Sequence, residues 1–110
     1  MDYAQQQNNG ITLLSLTGEV DVSVAPKLRS VLKGLIDTST AKIIVDLSSV
    51  DFIDSSGLGL FVMAYKSIRA YNGKIKFAKA RPEVLKVIRL TRLDKHFELF
   101  DSVEQAEKSF

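Results

Sequence analysis

The alternation of apolar and polar residues near the N-terminus predicts a β-hairpin. Tyr3–Gln7 leads into Asn8-Asn9-Gly10, and an Asn-Gly pair tolerates the positive φ angles of a two-residue hairpin turn. In the segment that follows, Ile11, Leu13 and Leu16 lie mostly on one side of a strand. We therefore expect the fold to begin with two antiparallel strands.

Helical spacing replaces the alternation after the hairpin. Apolar residues at intervals of three and four lie on one helix face, namely Leu28, Val31, Leu32, Leu35 and Ile36. Pro26 falls in the first turn of this helix, where a missing N–H is tolerated, and Gly34 weakens its far end. The short β-branched run Lys42–Leu47 (KIIVDL) is typical of a buried central strand. This region thus predicts one helix followed by one strand.

The rest of the chain continues the alternation of helices and strands. The predicted elements are a helix over Gly57–Ala70, a strand over Lys74–Ala78, a helix starting at Pro82, an edge strand over Phe97–Phe100, and a last helix whose capping box is Ser102 with Gln105. The complete order is β-β-α-β-α-β-α-β-α. It predicts a single α/β domain over residues 1–110, with a mostly parallel four- to five-stranded sheet opened by the hairpin and about four helices.

Composition excludes several classes of function. The 110 residues, 45% hydrophobic and 25% charged, are typical of one ordinary folded domain. With no cysteine and one histidine, His96, the chain has no thiol nucleophile, no thiolate metal site and no multi-histidine centre. We interpret His96 as a surface or boundary residue, because a general base would need a partner that the sequence does not offer. No metal and no cofactor are expected.

Neither the N-terminus nor the hydropathy of the chain indicates export or a membrane. Met1–Gln6 lacks the basic region and apolar run of a signal peptide. No stretch approaches the ~18 consecutive apolar residues that indicate a membrane-spanning helix. We therefore expect a protein of the cytoplasm without a membrane partner.

One segment of the chain is distinctly basic. Between Lys74 and Lys95, eight basic side chains stand against Glu83 and Asp94, a local charge of +6, whereas the whole chain carries only +2. Nucleic acid could bind such a patch, but a solvated face is the commoner explanation. The alternation of KIKFAK, residues 74–79, places its lysines on the outer side of a strand. We favour an acidic protein partner here and expect no direct contact with nucleic acid.

The residues most suited to binding or chemistry lie in the segment Val50–Leu60. It joins the end of the predicted central strand to the start of a helix, where open α/β sheets usually bind their ligands. Ser55 or Ser56 is expected at or beside the helix N-cap, close to unpaired N–H groups that favour an anion. If Ser55 is an ordinary cap, Ser55→Ala costs ~1 kcal/mol and has no further effect. Gly57-Leu58-Gly59 is not a Walker A loop, but its glycines permit close approach of another surface.

Three segments resemble the STAS domain family, to which bacterial anti-sigma factor antagonists belong. Asp54–Gly59 (DSSGLG) is similar to the family signature, and Leu16–Asp21 (LTGEVD) is similar to its second strand and the loop after it. Leu90–Phe97 (LTRLDKHF) resembles a stretch near the family's C-terminus. The likeness extends from about Ile11 to Ala106, in the same order and spacing.

This resemblance implies a switch operated by phosphorylation. In anti-sigma factor antagonists the first serine after the aspartate, Ser55 here, is phosphorylated by an anti-sigma factor that is also a serine kinase, whereas its neighbour, Ser56 here, usually is not. The unmodified form binds the anti-sigma factor and frees the sigma factor. The phosphorylated form dissociates, and a metal-dependent serine phosphatase restores it. The resemblance thus implies a binding module and kinase substrate, not an enzyme. The partner surface is expected to comprise Asp21, Ser23, Asp54, Ser56, Gly57, Leu58 and Thr91.

Two other functions remain open from the sequence. A STAS protein can be a non-switching scaffold or accessory subunit of a signalling or lipid-transport complex. A small nucleotide-binding or hydrolysing enzyme could instead use the anion-binding helix start. Stable association with a large complex, unaffected by Ser55→Asp, would indicate the scaffold, and saturable nucleotide binding by the isolated chain would indicate the enzyme.

Overall fold

The computed structural model describes residues 1–37 and 41–110, in which five strands form one sheet and four α-helices pack on it. The strands are β1 (Asp2–Asn8), β2 (Ile11–Val20), β3 (Lys42–Ile53), β4 (Lys74–Ala78) and β5 (Leu99–Phe100). The helices are α1 (Ala25–Ile36), α2 (Ser55–Ala70), α3 (Pro82–Leu90) and α4 (Val103–Lys108), with 3₁₀ turns at Val22–Val24 and Leu93–Lys95. No helix in these two ranges is long and apolar enough to cross a membrane.

The strands follow one another across the sheet in the order β1-β2-β3-β4-β5. β1 and β2 are antiparallel, whereas all neighbours from β2 to β5 are parallel, so the predicted fold class is confirmed. The hairpin is confirmed as well. Asn8 pairs with Ile11 across a turn in which Asn9 and Gly10 have φ angles of 55° and 78°. Both angles lie in the left-handed region of a type I′ turn, whose twist matches that of the strands it joins.

The main apolar cluster joins α1, α2 and α3 to one face of the sheet. From α1 it takes buried residues at helical spacing, Leu28, Leu32 and Ile36. Its centre is aromatic, because the Phe77 ring on β4 lies 5.1 Å from the Phe61 ring and 4.7 Å from the Phe97 ring. Each fully buried side chain of this size contributes roughly 1.5–3 kcal/mol. The apolar residues of the sequence pattern therefore stabilise the fold mainly through this cluster.

A smaller cluster lies on the opposite face of the sheet, beneath α4, and it includes a lysine. Lys76 pairs with Ile44 of β3 and is only 1% exposed. Its Nζ donates a hydrogen bond to the Ser109 hydroxyl at 2.6 Å, lies 4.4 Å from the centre of the Phe110 ring, and is 3.7 Å from Oε1 of Glu98. The prediction that the lysines of β4 point outward is wrong for Lys76. The C-terminal segment covers the side of the strand that alternation alone leaves to solvent.

Three element boundaries differ from the predicted ones. β3 continues to Ile53 instead of ending at Leu47, because β2 pairs with it as far as Val20. α2 begins at Ser55, two residues before its predicted start. β5 keeps only the last two residues predicted for it, since Phe97 is buried in the main apolar cluster. Packing against distant elements sets the boundaries of β3 and β5, whereas the start of α2 is set by its cap, Asp54.

Candidate functional site

The carboxyl ends of β2 and β3 lie side by side at the same end of the sheet. Val20 and Ile53 are partners in the parallel ladder, so the loop after β2 and the start of α2 emerge next to each other. Open α/β sheets usually bind their ligands at the carboxyl ends of their strands. The segment that sequence analysis selected is therefore placed where it was expected, and the β2–α1 loop is its neighbour.

Asp54 connects the two loops through three hydrogen bonds. Its Oδ1 accepts from the backbone N–H of Gly57 at 2.9 Å, which caps α2, and its Oδ2 accepts from the N–H of Val22 at 3.2 Å. Its own N–H donates to the carbonyl oxygen of Val20 at 3.2 Å. A carboxylate also suits the partial positive charge of a helix N-terminus. Asp54 thus fixes the start of α2 against the neighbouring 3₁₀ turn.

Gly57 allows α2 to begin in direct contact with β2. A Cβ atom at this position would lie 2.5 Å from the carbonyl oxygen of Val20 and 2.7 Å from its Cγ1, closer than real Cβ atoms approach. At Gly59 the space for a Cβ atom is open. Gly57 is buried and Leu58 is 5% exposed. Both residues thus pack inside the domain, and their predicted contact with a partner stays a prediction.

Ser55 and Ser56 occupy the first two positions of α2, beside the cap and not at it. Because Asp54 supplies the cap, the hydroxyl of Ser55 is not needed for this purpose. Ser55 is exposed and, within the two described ranges, its hydroxyl makes no hydrogen bond to the protein. Ser56 is half-buried. Helix capping consequently does not account for Ser55.

Asp21 organises the loop after β2. Its Oδ1 accepts hydrogen bonds from the hydroxyl of Ser23 at 2.5 Å and from the N–H of Ser23 at 3.0 Å. The bond from the hydroxyl holds the pKa of Asp21 below its ordinary value, because it stabilises the ionised carboxylate. Asp21 is thus charged at neutral pH and holds Ser23 in an exposed position next to Val22.

Two exposed apolar residues lie on the segments next to Ser55, and neither is among the predicted site residues. Val22 is 68% exposed and is held in place by the carboxylate of Asp54, and Phe52, near the end of β3, is 50% exposed. An apolar pair beside polar groups has the composition of an interaction site, with an apolar centre and a polar rim. In the sequence, only the closeness of Phe52 to the serine motif could have indicated that it belongs to the site. We call Val22, Ser23, Phe52, Ser55 and Ser56 the Ser55 surface.

The Ser55 surface is short of positive charge. Neither residues 18–26 nor residues 48–60 contain a lysine or an arginine. Arg81 reaches this region from the start of α3, but its guanidinium donates to Oδ1 of Asp51 at 2.8 Å and to the carbonyl oxygen of Ser48 at 2.7 Å. An anion added at Ser55 therefore finds no unpaired cation in either segment.

Thr91 is not part of the Ser55 surface. α3 starts beside the carboxyl end of β3, where Arg81 contacts Ser48, and runs back along the sheet for about 13 Å. Thr91 follows the last turn of this helix, and its hydroxyl donates to the carbonyl oxygen of Val87 at 2.9 Å. Thr91 is exposed, and its inclusion in the partner surface stays a prediction. His96 is exposed, in agreement with its interpretation as a surface residue.

Comparison with known proteins identifies what this chain is similar to. A family model described as STAS domain matches residues 3–106. The anti-sigma-F factor antagonist RsfB of Mycobacterium tuberculosis is 32% identical over 101 residues, which covers 90% of this chain and 80% of RsfB.

Solved structures show the same fold. An anti-sigma factor antagonist from Mycobacterium paratuberculosis superimposes with a TM-score of 0.89 at 28% identity, covering 98% of this chain and 92% of that one. The Bacillus cell fate determinant SpoIIAA in its phosphorylated form superimposes with a TM-score of 0.74 at 21% identity, covering 98% of each chain. At that identity the second likeness concerns the fold alone.

Proposed function

The chain belongs to the STAS domain family, and we propose that it acts as an anti-sigma factor antagonist. In this role the unphosphorylated form binds an anti-sigma factor that is also a serine kinase, and so releases the sigma factor. The function named for the 32% identical relative supports the antagonist role. The observation that carries the switch is the exposed Ser55 hydroxyl, which lacks a partner within the described residues.

Binding of the anti-sigma factor would cover the Ser55 surface. Burial of an apolar side chain of the size of Val22 or Phe52 contributes roughly 1.5–3 kcal/mol when it becomes complete. The surface is also preorganised, because Asp54 and Asp21 hold Val22 and Ser23 through backbone hydrogen bonds. A preorganised surface loses little conformational entropy on binding, which favours affinity.

Phosphorylation would use the chain as substrate only, so we propose no catalytic activity for it. The Ser55 oxygen attacks the γ-phosphorus of ATP bound to the kinase, the bond from that phosphorus to ADP breaks, and the hydroxyl proton passes to a base of the kinase. Ser55 fits this step because its hydroxyl is exposed and takes no part in capping. Ser56 is half-buried and is not expected to react. SpoIIAA, which has the same fold, exists in a phosphorylated form.

The phosphate would act at the interface and leave the fold unchanged. It adds a charge of about −1.5 to −2 at a helix start, where the dipole and N–H groups tolerate an anion. No lysine or arginine in the two segments around it offers a pairing charge. A partner that had packed on Val22 and Phe52 would therefore bury an unpaired dianion. That costs several kcal/mol, and each 1.4 kcal/mol weakens binding tenfold.

The same exposure would allow the switch to be reset. A phosphate on Ser55 projects from the first position of α2, where a metal-dependent serine phosphatase can reach it. Water then replaces the serine oxygen on phosphorus, and the hydroxyl is restored. The metal in this step belongs to the phosphatase.

Calorimetry with the purified chain and the anti-sigma factor of its host tests the proposal. Wild type and Ser55→Ala should bind with similar affinity, and Ser55→Asp should bind at least about tenfold more weakly, because it places a carboxylate in the interface. Ser102→Asp is the matched control, since it makes the same substitution at the start of another helix and Asp is also a good N-cap. With ATP and Mg²⁺ present, mass spectrometry should locate one phosphoryl group on Ser55.

Equal binding of all variants, without phosphoryl transfer, would overturn the switch and leave a non-switching scaffold or accessory subunit. Loss of binding in Ser102→Asp as well would show that the effect of charge is not specific to Ser55. Saturable heat on titration of the isolated chain with ATP would instead support a nucleotide-binding enzyme.

A further inference from the structure

The outer surface of α3 carries a groove that the proposed function does not use. The groove has a volume of about 440 Å³ and is lined by Ala80, Pro82, Leu85, Lys86, Arg89 and Leu90. Leu90 is 74% exposed, the highest value among the large hydrophobic side chains of the described residues. Val84 and Ile88, on the opposite side of this helix, are buried in the main apolar cluster. The helix is thus apolar on its inner face and has an apolar residue on its outer face that packing does not explain.

A second groove continues the first toward the edge of the sheet. It has a volume of about 280 Å³, shares Ala80, Leu85 and Arg89 with the first groove, and extends to Leu99 and Phe100 of β5. Because β5 is the last strand of the sheet, this end of the groove opens at an edge. We call the two together the α3 groove. The floor of the first groove is mainly apolar, whereas the second groove also includes the charged residues Lys79 and Asp101.

The cations around the α3 groove are unpaired. Two of the eight basic residues between Lys74 and Lys95 have partners. Lys76 contacts Glu98 and Ser109, and Arg81 contacts Asp51. Within residues 1–37 and 41–110, four exposed cations on or next to α3 and its flanking loops form neither an ion pair nor a side-chain hydrogen bond: Lys79, Lys86, Arg89 and Arg92. Three of these cations, Lys79, Lys86 and Arg89, line the α3 groove.

We propose that the α3 groove binds an acidic amphipathic helix of a partner protein, with an apolar side chain against Leu85 and Leu90 and carboxylates facing Lys86 and Arg89. The apolar floor and the cationic rim together match such a helix, because apolar contact provides the anchor and charge complementarity provides register. Nucleic acid fits less well. The lining of the groove presents no exposed aromatic ring on which a base could stack, and Phe100 is half-buried.

The α3 groove differs from the Ser55 surface in charge, so the two would select different partners or different parts of one partner. Residues 18–26 and 48–60, around Ser55, contain no lysine or arginine, whereas the α3 groove is lined by three cations, Lys79, Lys86 and Arg89, and one carboxylate, Asp101. Binding at the α3 groove does not depend on the state of Ser55. Its test can therefore fail while the antagonist function stands, and the reverse also holds.

Nuclear magnetic resonance titration of the ¹⁵N-labelled chain tests the proposal. The probe is a synthetic helical peptide with glutamates on one face and leucines on the other. Its addition should shift backbone resonances of α3 and β5 and leave those of Val22 and Ser55 in place. The charge reversal Lys86→Glu with Arg89→Glu should weaken binding at least about tenfold, since it places like charges opposite each other. The matched reversal Lys33→Glu with Lys66→Glu, on exposed positions of α1 and α2, should change it little.

A second variant separates the apolar anchor from the charges. Leu90→Ser should weaken peptide binding at unchanged net charge, and the 74% exposure of Leu90 means that the fold tolerates the change. No binding, shifts spread over the whole surface, equal losses in the two charge reversals, or no effect of Leu90→Ser would each overturn the proposal. Tighter binding of an oligothymidylate than of the peptide would overturn it in favour of nucleic acid.

Discussion

Ser55 and Ser102 both stand at the start of a helix, and the structure uses them in different ways. Ser102 is the N-cap of α4, and its hydroxyl accepts a hydrogen bond from the N–H of Gln105 at 3.1 Å. The Gln105 side chain accepts in turn from the N–H of Asp101 at 3.3 Å. Ser55 lies one position inside α2, whose cap is Asp54.

The difference shows how a helix start can be freed for function. A hydroxyl that caps a helix has its lone pairs engaged, so modification would remove the cap along with the hydroxyl. At α2 the carboxylate of Asp54 performs the capping, and the neighbouring hydroxyl can change without loss of the helix. The same carboxylate also holds the adjacent loop through Val22. The capping group and the serine hydroxyl thus belong to two adjacent residues at α2 and to a single residue at α4.

The largest expected effect tests how closely the start of α2 is packed, a constraint absent at α4. Gly57→Ala should destabilise the protein by about 3 kcal/mol, because its Cβ would overlap the backbone of Val20. Gly59→Ala, two positions on, should stabilise it by roughly 0.5–1 kcal/mol, since the space is open and alanine favours the helix. Urea denaturation measures both. Similar values for the two variants would contradict the close approach to β2.

The next largest effect tests whether Asp54 is the cap. Asp54→Ala should cost about 2 kcal/mol, because it leaves the N–H groups of Gly57 and Val22 without their acceptors. Asp54→Asn keeps an oxygen at the cap and should cost about 1 kcal/mol or less. Thermal denaturation of the two variants provides the measurement. If Asn is as damaging as Ala, the charge of the carboxylate is the important property and not its capping geometry.

At α4 the serine itself should be the sensitive residue. Ser102→Ala should cost ~1 kcal/mol, because no neighbouring side chain replaces its bond to the Gln105 N–H. Hydrogen exchange should show the loss first in α4 and at Lys76, which that segment covers. Ser102→Asp, which retains an acceptor, should restore protection. An unchanged exchange rate in Ser102→Ala would mean that packing alone holds α4.

At α2 the corresponding substitution should have almost no effect on stability. Ser55→Ala should change the free energy of unfolding by less than about 0.5 kcal/mol, because the hydroxyl is exposed and does not cap. Chemical denaturation alongside Ser102→Ala gives the direct comparison. A loss near that of Ser102→Ala would show that Ser55 is an ordinary cap after all.

The smallest expected effect concerns pH and the loop beside Ser55. The Ser23 hydroxyl holds the pKa of Asp21 below its ordinary value of 3.8, so the unfolded state binds the proton more readily than the folded state. The stabilisation from this carboxylate is present above that value and is lost as the pH falls through the pKa of the folded state. Titration of Asp21 by nuclear magnetic resonance checks the direction, and Ser23→Ala should return the pKa toward 3.8. A raised pKa in the wild type would contradict the hydrogen bond.

Local sequence patterns were sufficient for most of the secondary structure. The Asn9-Gly10 turn, the apolar stripe of α1 and the capping residue Ser102 each depend on a few neighbouring residues, and all three are found as predicted. The motif Asp54–Gly59 also located the candidate site. These features depend on backbone preferences and short spacings, which are contained in the chain itself.

Packing between elements decides which side chains are covered and which are free. Alternation placed Lys76 outside, but α4 covers that face. Gly57 packs on Val20, and Phe52 is exposed although no local pattern selects it. Burial depends on elements far away in the chain that pack on a strand or helix, and a local pattern does not contain that information. Local patterns in the chain therefore specify the elements, their order and the serine motif, and three-dimensional packing specifies the surface that this motif presents.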